Sequence, residues 1–438
     1  MMKRRDVLNG LAALGLAAAG AAATASPALA QTKTIRMWTF LSATGTTPRE
    51  VALAQIIKNY EAANPGTKIV VETQVWDQMT PKFLAAHRAG NAPDISWVVT
   101  DFLGDAIGSG SLADLNELFI KKWPAEQVKD HASAYWDLTK KGDKQYALFA
   151  SPNYIAIVYR ADLLKAAGID PASIKTWDDL RAAAEKLTVK NASGQVTRWG
   201  FAQGFSEQQA DPHMMIPHLL GHGEQLFKPD GKANFASPAG VAAMTFATDL
   251  VTKHKVAPPQ AATWTVDDLF EQFSSDRVAM IQGPSVRVST LQAKLGKENV
   301  GLMLWPGNGK VAHSPAVMAG WAVGVWSKGQ QKEEAGKFVD YMLGSEAEKI
   351  WVTVGGQSPL MASTAKAVSS FVDQPGNGYI RVAAEGSGKY GWLTPIDFNV
   401  GGYRQALNKA TQRILVEGIA VKTALEEAET RFNRQNNR

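Results

Sequence analysis

The feature that most constrains the fold of this chain is an apolar stretch, Tyr146 to Tyr159, which is interrupted in its middle by Ser151-Pro152-Asn153. Proline has no amide hydrogen to donate to a β-ladder, and it forces the preceding residue into an extended conformation. The pattern predicts that one strand ends near Ser151 and that a second strand, Ile155 to Tyr159, begins almost at once. We expect the backbone to leave one sheet and enter another here, as it would in a hinge between two lobes.

The segment after this hinge carries clear helix signals. The first helix is predicted over Ala161 to Ala167, with Gly168 as its C-terminal stop. Thr176-Trp-Asp-Asp179 then has the capping-box pattern, which places a helix N-terminus ahead of the apolar run Leu180 to Leu187. The hinge is therefore followed by two short helices.

Predicted strands and helices alternate on both sides of the hinge, which is typical of α/β lobes built on parallel strands. The predicted strands are Thr34–Trp38, Lys68–Val75, Ile95–Val99, Gly200–Ala202, Arg277–Gln282, Gly301–Trp305 and Val317–Trp326. The main predicted helices are Pro48–Ala63, Met79–Ala89, Ser237–Lys253, Asp267–Ser274, Ser289–Leu295, Gln331–Leu343 and a long terminal region, Gly402–Asn436. Gly386-Ser-Gly-Lys-Tyr-Gly391 fits G-x-G-x-x-G formally but has no strand before it, so we predict a loop there.

Several short motifs, weak singly but consistent in order and spacing, carry a family resemblance. They are Gly142 to Ala147, Tyr159-Arg-Ala-Asp-Leu-Leu164, Thr176-Trp-Asp-Asp-Leu180, Arg277-Val-Ala-Met280 with Gly283-Pro284, Gly320-Trp-Ala-Val-Gly324, Ala335 to Tyr341, Gly356-Gln-Ser-Pro359 and Ile414 to Gly418. Together they resemble the family 1 extracellular solute-binding proteins, the maltose-binding-protein-like components of ABC sugar importers.

This resemblance implies an α/β fold of the periplasmic-binding-protein type (type II). Two α/β lobes would be joined by a multi-strand hinge, with a ligand cleft between them. We expect residues 31–150 and about 305–335 to form the first lobe. Residues 151–304 and about 336–438 are expected to form the second.

The first thirty residues have the features of a secretory signal peptide. A basic start is followed by an Ala/Leu/Gly-rich run from Val7 to Ala25, and Ala28-Leu-Ala30 is a cleavage pattern before Gln31. Arg4-Arg5-Asp-Val-Leu8 is also similar to a twin-arginine export signal, the alternative being an ordinary secretory signal with a basic start. We expect cleavage after about Ala30 and a periplasmic protein.

Composition excludes several classes of function. The chain has no cysteine, so it can form no disulfide, no thiolate metal site and no lipid-anchored N-terminus. Cleavage after Ala30 removes three basic residues and one acidic residue, which lowers the net charge from +5 to +3. With no run of five or more Lys or Arg, a nucleic-acid partner is not indicated.

Candidate ligand contacts follow from the rule that ligands of open α/β sheets lie beyond the carboxyl ends of the strands, at a topological switch point. Sugar hydroxyls need planar polar groups, and the C–H face of a sugar ring needs an aromatic plate. The candidates are Phe40, Ser42, Thr44, Trp76, Thr100, Asp101, Asn153, Phe205, Glu207, Gln208, Ser285, Gly320, Trp321 and Gly356.

The resemblance adds three points about these candidates. It implies that Asp101 binds sugar, although a helix N-cap would also explain this residue. It places Trp97 in the core and Trp321 in the cleft. Ser285 stands where relatives carry a tryptophan after Gly-Pro, which argues against a long maltodextrin-like ligand.

The resemblance implies a non-enzymatic monomer that has no cofactor, with a small carbohydrate and a membrane permease with its ATPase as partners. A mono- or disaccharide or a sugar alcohol is the first ligand class. Glycerol phosphate or another anionic sugar derivative is the second ligand class. Its anion could bind Arg287 or Arg404, but we expect both arginines to be solvated surface groups.

Three other assignments were weighed. A secreted carbohydrate-active enzyme would use Asp101 and Glu207 as its two carboxylates. A chemoreceptor-docking sensor with no importer is a further alternative. His213, His218 and His222 are predicted to be structural rather than metal ligands, because Pro217 interrupts their spacing and no H-E-x-x-H motif occurs.

Overall fold

The computed structural model describes residues 32–131, 133–209, 211–394 and 400–436. The predicted signal peptide, residues 1–30 with Arg4 and Arg5, lies outside the described residues. Within the described ranges, no helix combines the length and the apolar character that crossing a bilayer requires. The fold below is that of the part of the chain after Gln31.

Ten strands form one curled sheet in the order β2-β1-β3-β11-β6-β9-β8-β7, with β10 paired to β6 and β12 to β11. Two further short strands, β4 and β5, form a separate hairpin. The strands are β1 Lys33–Thr39, β2 Thr67–Thr73, β3 Ile95–Val99, β4 Lys140–Lys141, β5 Lys144–Gln145, β6 Leu148–Arg160, β7 Val189–Lys190, β8 Val196–Ala202, β9 Val278–Pro284, β10 Val300–Met303, β11 Ala316–Val325 and β12 Gly391–Leu393.

Strand β6 joins the two halves of this sheet. From Leu148 to Tyr154 it pairs with β11, and from Ile155 onward it pairs with β9 and β10. The strand changes partners here, as expected of a hinge, but it does so within one sheet rather than between two. The predicted break at Ser151-Pro152-Asn153 is wrong, because one thirteen-residue strand runs through it. Pro152 is tolerated because it lies opposite Gly320, beside a register shift in the ladder.

Gly320 is required where β11 crosses β6. Its φ is 141°, and a Cβ built on it would lie 2.2 Å from the carbonyl oxygen of Ser151. Any side chain here would push the two backbones apart or force an unfavourable conformation. This glycine therefore sets how closely the two strands of the hinge approach.

The helices cover both faces of the sheet. They are α1 Pro48–Ala63, α2 Met79–Ala89, α3 Leu103–Gly108, α4 Leu115–Leu118, α5 Ala125–Asp130, α6 Ser133–Leu138, α7 Ala161–Ala166, α8 Trp177–Leu187, α9 Met215–Gly221, α10 Pro238–Thr252, α11 Val266–Ser274, α12 Val288–Leu295, α13 Lys332–Met342, α14 Ser345–Thr353, α15 Ala362–Ala367, α16 Ser369–Val372, α17 Gly378–Tyr390, α18 Val400–Glu417 and α19 Val421–Asn436. Short 3₁₀ turns include Thr100–Phe102 after β3 and Ser285–Arg287 after β9.

Helix starts follow the predicted capping chemistry. The Thr176 hydroxyl accepts a hydrogen bond from the Asp179 amide, and the Asp179 carboxylate accepts one from the Thr176 amide. Thr47 and Glu50 form a second capping box at the start of α1, where Pro48 has no amide hydrogen to leave unpaired. These reciprocal bonds explain why both helices begin where the sequence predicts.

The first lobe is built around β1 and α1. Its core joins Met37 of β1 and Leu53 of α1 to Phe338 of α13 and Trp351 of α14. The predicted boundary is therefore wrong for residues 336–353, which pack in the first lobe instead of the second. The apolar face of α13 contacts α1 directly, since the rings of Tyr60 and Phe338 are 4.9 Å apart.

The second lobe has its own core on the other side of the hinge. Leu219 of α9, Met244 of α10, Leu407 of α18 and Phe432 of α19 lie in it. The terminal helical region consists of two helices, because Gly418 (φ 71°) ends α18. The chain crosses between the lobes along β6, along β11 and again between α14 and α17.

The predicted loop at Gly386–Gly391 is also wrong. Residues up to Tyr390 belong to α17, which packs on β6. A Cβ on Gly386 would lie 2.5 Å from the ring of Tyr154. Gly386 therefore serves close packing of a helix on the hinge strand rather than a phosphate loop.

Candidate functional site

A cavity of about 130 Å³ lies between the two lobes, beside the hinge. Its first-lobe wall follows β1, β2 and β3, its second-lobe wall follows β9 and includes the start of α18, and its floor is β11. The lining residues are Phe40, Arg49, Trp76, Val99, Asp101, Asn153, Asp211, Pro212, Val266, Pro284, Val286, Arg287, Ala319, Gly320, Trp321 and Arg404. Walls from both lobes make this the place where a ligand would affect lobe closure.

Aromatic rings form one side of the cavity. Phe40 and Trp321 have ring centroids 4.7 Å apart with their planes tilted by 41°, and Phe40 also contacts the edge of Trp97. Trp97 is fully buried, as expected of a core residue, whereas Phe40 and Trp321 are only partly buried. The exposed faces of these rings offer an apolar surface of the kind that covers a sugar ring.

An ion pair between the lobes lies beside these rings. The Arg404 guanidinium of α18 donates to both carboxylate oxygens of Asp101, at 2.5 and 2.9 Å. The Asp101 side chain is 14 % exposed and that of Arg404 is 7 % exposed. Burial raises the pKa of Asp101, and the adjacent guanidinium opposes that rise. Burial acts to lower the pKa of Arg404, but the Asp101 carboxylate, Tyr403 and Asp211 together outweigh it, so the pKa of Arg404 is raised.

A second carboxylate, Asp211, lines the second-lobe wall. Its Oδ2 atom is buried and has no hydrogen-bond partner among the residues that the structure describes. Burial raises the pKa of Asp211 to about 6, against the lowering effect of Arg287 and Arg404. A buried acceptor that lacks a donor is costly, so Oδ2 is available to a hydroxyl donor that enters the cavity.

Two further arginines face the same space from opposite lobes. Arg49, in the first turn of α1, lies over the ring of Phe40 with its guanidinium carbon 5.3 Å from the centroid. Arg287 pairs with Asp267 at 2.6 Å and lies over Phe270. Burial, together with the positive charge of Arg287, lowers the pKa of Arg49 to about 10.

Six of the fourteen predicted contact residues line the cavity, and two more support it. The six are Phe40, Trp76, Asp101, Asn153, Gly320 and Trp321. Ser285 donates a hydrogen bond to Asn153 Oδ1 at 3.3 Å and accepts one from the Tyr154 amide at 3.1 Å. Thr100 donates to the Gly320 carbonyl at 2.8 Å. Ser285 and Thr100 are buried and hold cavity residues in place, so neither is among the lining residues.

The other six predicted residues are not brought to this cavity; they are Ser42, Thr44, Phe205, Glu207, Gln208 and Gly356. The first two hydroxyls hydrogen-bond to each other. Phe205 is buried against His213, and Glu207 pairs with Lys409 at 2.9 Å. Gln208 is exposed beside Glu207, and the carbonyl of Gly356 accepts a hydrogen bond from Tyr379. Ser42, Thr44, Phe205, Glu207 and Gly356 therefore make their contacts with other protein groups, away from the cavity.

The sequence reasoning missed Arg49 and Asp211 and misplaced Arg404. Arg49 immediately follows Pro48 at a predicted helix start, and this position is the sequence feature that could have indicated its place in the cavity. Asp211 follows no predicted strand, so the strand-end rule does not find it. The expectation that Arg287 and Arg404 are solvated surface groups is wrong, because both line the cavity and Arg404 is buried.

Two histidines of the cluster, His213 and His218, are buried, whereas His222 is exposed. The Nε2 atom of His213 and the hydroxyl of Thr411 are 2.8 Å apart, and burial lowers the pKa of His213 to about 3. His218 stacks on His222, and its pKa is lowered to about 4, chiefly by burial. Among the described residues, no group of His, Asp or Glu side chains has the arrangement of a metal site.

A larger groove of about 820 Å³ lies elsewhere, on the second lobe. Its walls include Tyr159, Lys175, Leu302 and His313. Because these residues all belong to one lobe, a ligand there would not bridge the two lobes. We therefore place the candidate site in the smaller cavity.

Comparison with known proteins gives a consistent result. The sequence model of the family described as bacterial extracellular solute-binding protein matches residues 43–349. An arabinooligosaccharide-binding protein of Halalkalibacterium halodurans is 24 % identical over 314 residues, which cover 69 % of this chain and 66 % of that protein. The match to the family model covers more than half of the chain.

Solved structures show the same fold. An ABC substrate-binding protein of Listeria monocytogenes, in complex with cycloalternan, superposes with a TM-score of 0.78 at 23 % identity, covering 92 % of this chain and 99 % of that one. An ABC transporter solute-binding protein of Thermotoga lettingae, bound to α-D-tagatose, gives 0.78 at 22 % identity with the same coverage. These likenesses confirm the predicted type II periplasmic-binding-protein-like α/β fold.

Proposed function

We propose a transport function for this chain, which belongs to the family of bacterial extracellular solute-binding proteins. It captures a carbohydrate in the cleft between its lobes, closes around the ligand and delivers it to a membrane permease whose ATPase partner drives import. It works in the periplasm as a monomer, and the ligand leaves chemically unchanged.

The observation that carries this proposal is a cavity with walls from both lobes. Trp321 and Phe40 offer an aromatic surface, and Asp211 and Arg287 offer polar groups from the opposite lobe. A ligand that contacts both walls at once binds the closed arrangement better than the open one. By that difference in affinity it shifts the population toward closure. A micromolar ligand supplies about 8 kcal/mol in total, part of which offsets any preference for the open form.

Two lines of support favour a carbohydrate. The matched relatives are named or solved with arabinooligosaccharide, cycloalternan or tagatose, which differ in size but are all sugars. An apolar cavity of about 150 Å³ can hold a benzene-sized molecule, so a space of about 130 Å³ has room for about one sugar ring. We therefore propose a mono- or disaccharide or a sugar alcohol rather than a long chain.

An enzymatic function is not favoured by the positions of the carboxylates. Glu207, one of the two groups that a glycosidase would need, pairs with Lys409 and does not line the cavity. Asp101 and Asp211 both line it, but both oxygens of Asp101 accept from Arg404. A carboxylate held in this way is poorly placed to act as a nucleophile or a general base.

A thermal-shift panel of sugars, polyols and sugar phosphates tests the proposal, because a ligand that binds only the folded state raises the midpoint by mass action. We expect at least one carbohydrate to raise the melting temperature in a saturable way and to be recovered intact by chromatography. No shift with any carbohydrate, or recovery of a cleaved product, would overturn the proposed function.

A further inference from the structure

Two guanidinium groups of like charge face each other across the cleft. Arg49 belongs to α1 of the first lobe, and Arg287 belongs to the 3₁₀ turn after β9 in the second. Both line the same cavity, and the pKa of Arg49 is lowered chiefly by burial and further by the positive charge of Arg287. Two cations held together in a partly desolvated space repel each other unless an anion lies between them.

Arg49 has no protein anion to neutralise it. Within the described ranges, its guanidinium makes no hydrogen bond and no ion pair, and only the ring of Phe40 lies beneath it. The adjacent carboxylate, Glu50, is committed elsewhere. One of its oxygens accepts from the Ser42 amide, and the other accepts from the amide and the hydroxyl of Thr47. The donors of Arg49 are therefore open toward the cavity.

The N–H donors of the Arg287 guanidinium are only partly paired with acceptors. Its ion-pair partner Asp267 has a side chain that is 58 % exposed, so the attraction is screened by water. A planar guanidinium carries five N–H donors, and the Asp267 pair occupies only part of them. Arg404 differs from both arginines, because the carboxylate of Asp101 takes two of its donors in a bidentate pair.

Another polar group that lines the cavity is an acceptor. Among the residues that the structure describes, no donor reaches the buried Oδ2 atom of Asp211. It suits a sugar hydroxyl, while the two arginines suit an anion. An anionic sugar would satisfy all three groups together: its ring against Phe40 and Trp321, its hydroxyls toward Asp211 and its anion between the guanidiniums.

We propose, on the basis of the transport function above, that the ligand is an acidic sugar whose carboxylate or phosphate bridges Arg49 and Arg287 when the lobes close. Without ligand, repulsion between the two cations favours the open arrangement. With an anion between them, the same charges favour closure. The acidic group thus determines specificity and contributes to the closing force.

Matched pairs of ligands test this inference by titration calorimetry. Glucose is compared with glucuronate, galactose with galacturonate, and glucose with glucose 6-phosphate. Because hydrogen bonds to charged groups are the strong ones, we expect at least one acid to bind about tenfold or more tightly than its neutral partner. Its affinity should also fall as salt rises. The uronate and phosphate arms show which anion is preferred.

Two arginine variants complete the design. Arg49→Gln should reduce the ratio of acid affinity to neutral-sugar affinity by about tenfold. Arg88→Gln removes an exposed arginine from α2 of the same lobe, outside the cavity, and should change neither affinity. Circular dichroism of both variants verifies that they are folded.

The outcomes separate the inference from the function on which it rests. If neutral sugars bind as tightly as their acids, or if Arg49→Gln leaves the preference intact, the anion site is refuted while the sugar-binding function stands. If no sugar of either kind binds, the proposed function itself fails. Acid-selective binding that is lost with Arg49→Gln but retained with Arg88→Gln supports both.

Discussion

The ion pair between Asp101 and Arg404 leads to a prediction about stability, because it joins the two lobes inside a buried site. We consider Asp101→Asn, which keeps the shape of the side chain but removes its charge. The guanidinium of Arg404, whose side chain is only 7 % exposed, would then keep its charge without a carboxylate partner. Breaking one side of a buried pair costs about 3–5 kcal/mol. We expect a loss toward the lower end of this range, because asparagine can still accept one hydrogen bond.

A double-mutant cycle measures this contribution. Asp101→Asn, Arg404→Met and the double variant are unfolded with urea and followed by tryptophan fluorescence. Each single variant should lose stability, because each leaves one buried polar partner unsatisfied. The double variant should lose clearly less stability than the two single losses added together, because no unpaired charge of this pair remains buried. We expect an interaction energy of about 2 kcal/mol between the two sites.

The contrary result is easily recognised. If Asp101→Asn costs less than about 1 kcal/mol, or if the two single losses simply add, the pair is not the buried and coupled contact that the distances indicate. A matched control is Glu72→Gln, which breaks the more exposed pair with Arg36. It should cost less than about 1 kcal/mol, as most surface pairs do.

Three further predictions concern the cavity and the hinge. The pKa of Asp211 rises from 3.8 to about 6 on folding, so its contribution to stability falls as pH rises from about 4 to 6 and stays low above that. Asp211→Asn should therefore stabilise the protein by up to about 3 kcal/mol at pH 8 and by little at pH 4. Urea midpoints at the two pH values measure this difference. Equal effects at both pH values would contradict this reasoning. Gly320→Ala places a methyl group 2.2 Å from the Ser151 carbonyl oxygen at φ 141°. It should lower the free energy of unfolding by about 2 kcal/mol or more in the same assay. The control is Gly388→Ala, which should not destabilise α17 because Gly388 has open space around it. Trp321→Ala should weaken carbohydrate binding by about 1–3 kcal/mol in calorimetry; unchanged affinity would remove Trp321 from the site.

The elements with strong local signals were predictable from the sequence. Helix α1 begins at Pro48 behind a capping threonine and ends before Asn64-Pro65-Gly66, so both of its ends are specified by neighbouring residues. The change of partner strands at the hinge was predictable as well. The continuity of β6 through Pro152 was not, because it depends on an opposing glycine 168 positions further along the chain.

Local sequence patterns do not show which surface of the protein a helix or a side chain packs against. The apolar stripe of α13 shows that one face is buried, but not that it is buried against α1 of the first lobe. The residues of the cleft were predictable only in part for the same reason. Asp101 follows a strand and was found, whereas its partner Arg404 comes from a helix 303 positions away.

The three crossings between lobes determine what limited proteolysis can produce. Since the chain enters each lobe more than once, neither lobe is a single stretch of polypeptide, and no single cut separates them. A nick in the loop before β11 would leave two fragments that each hold parts of both lobes, β6 on one and β11 on the other. Such fragments should stay associated and co-purify until denaturant is added. For the same reason, neither half can be expressed as an autonomous domain by simple truncation.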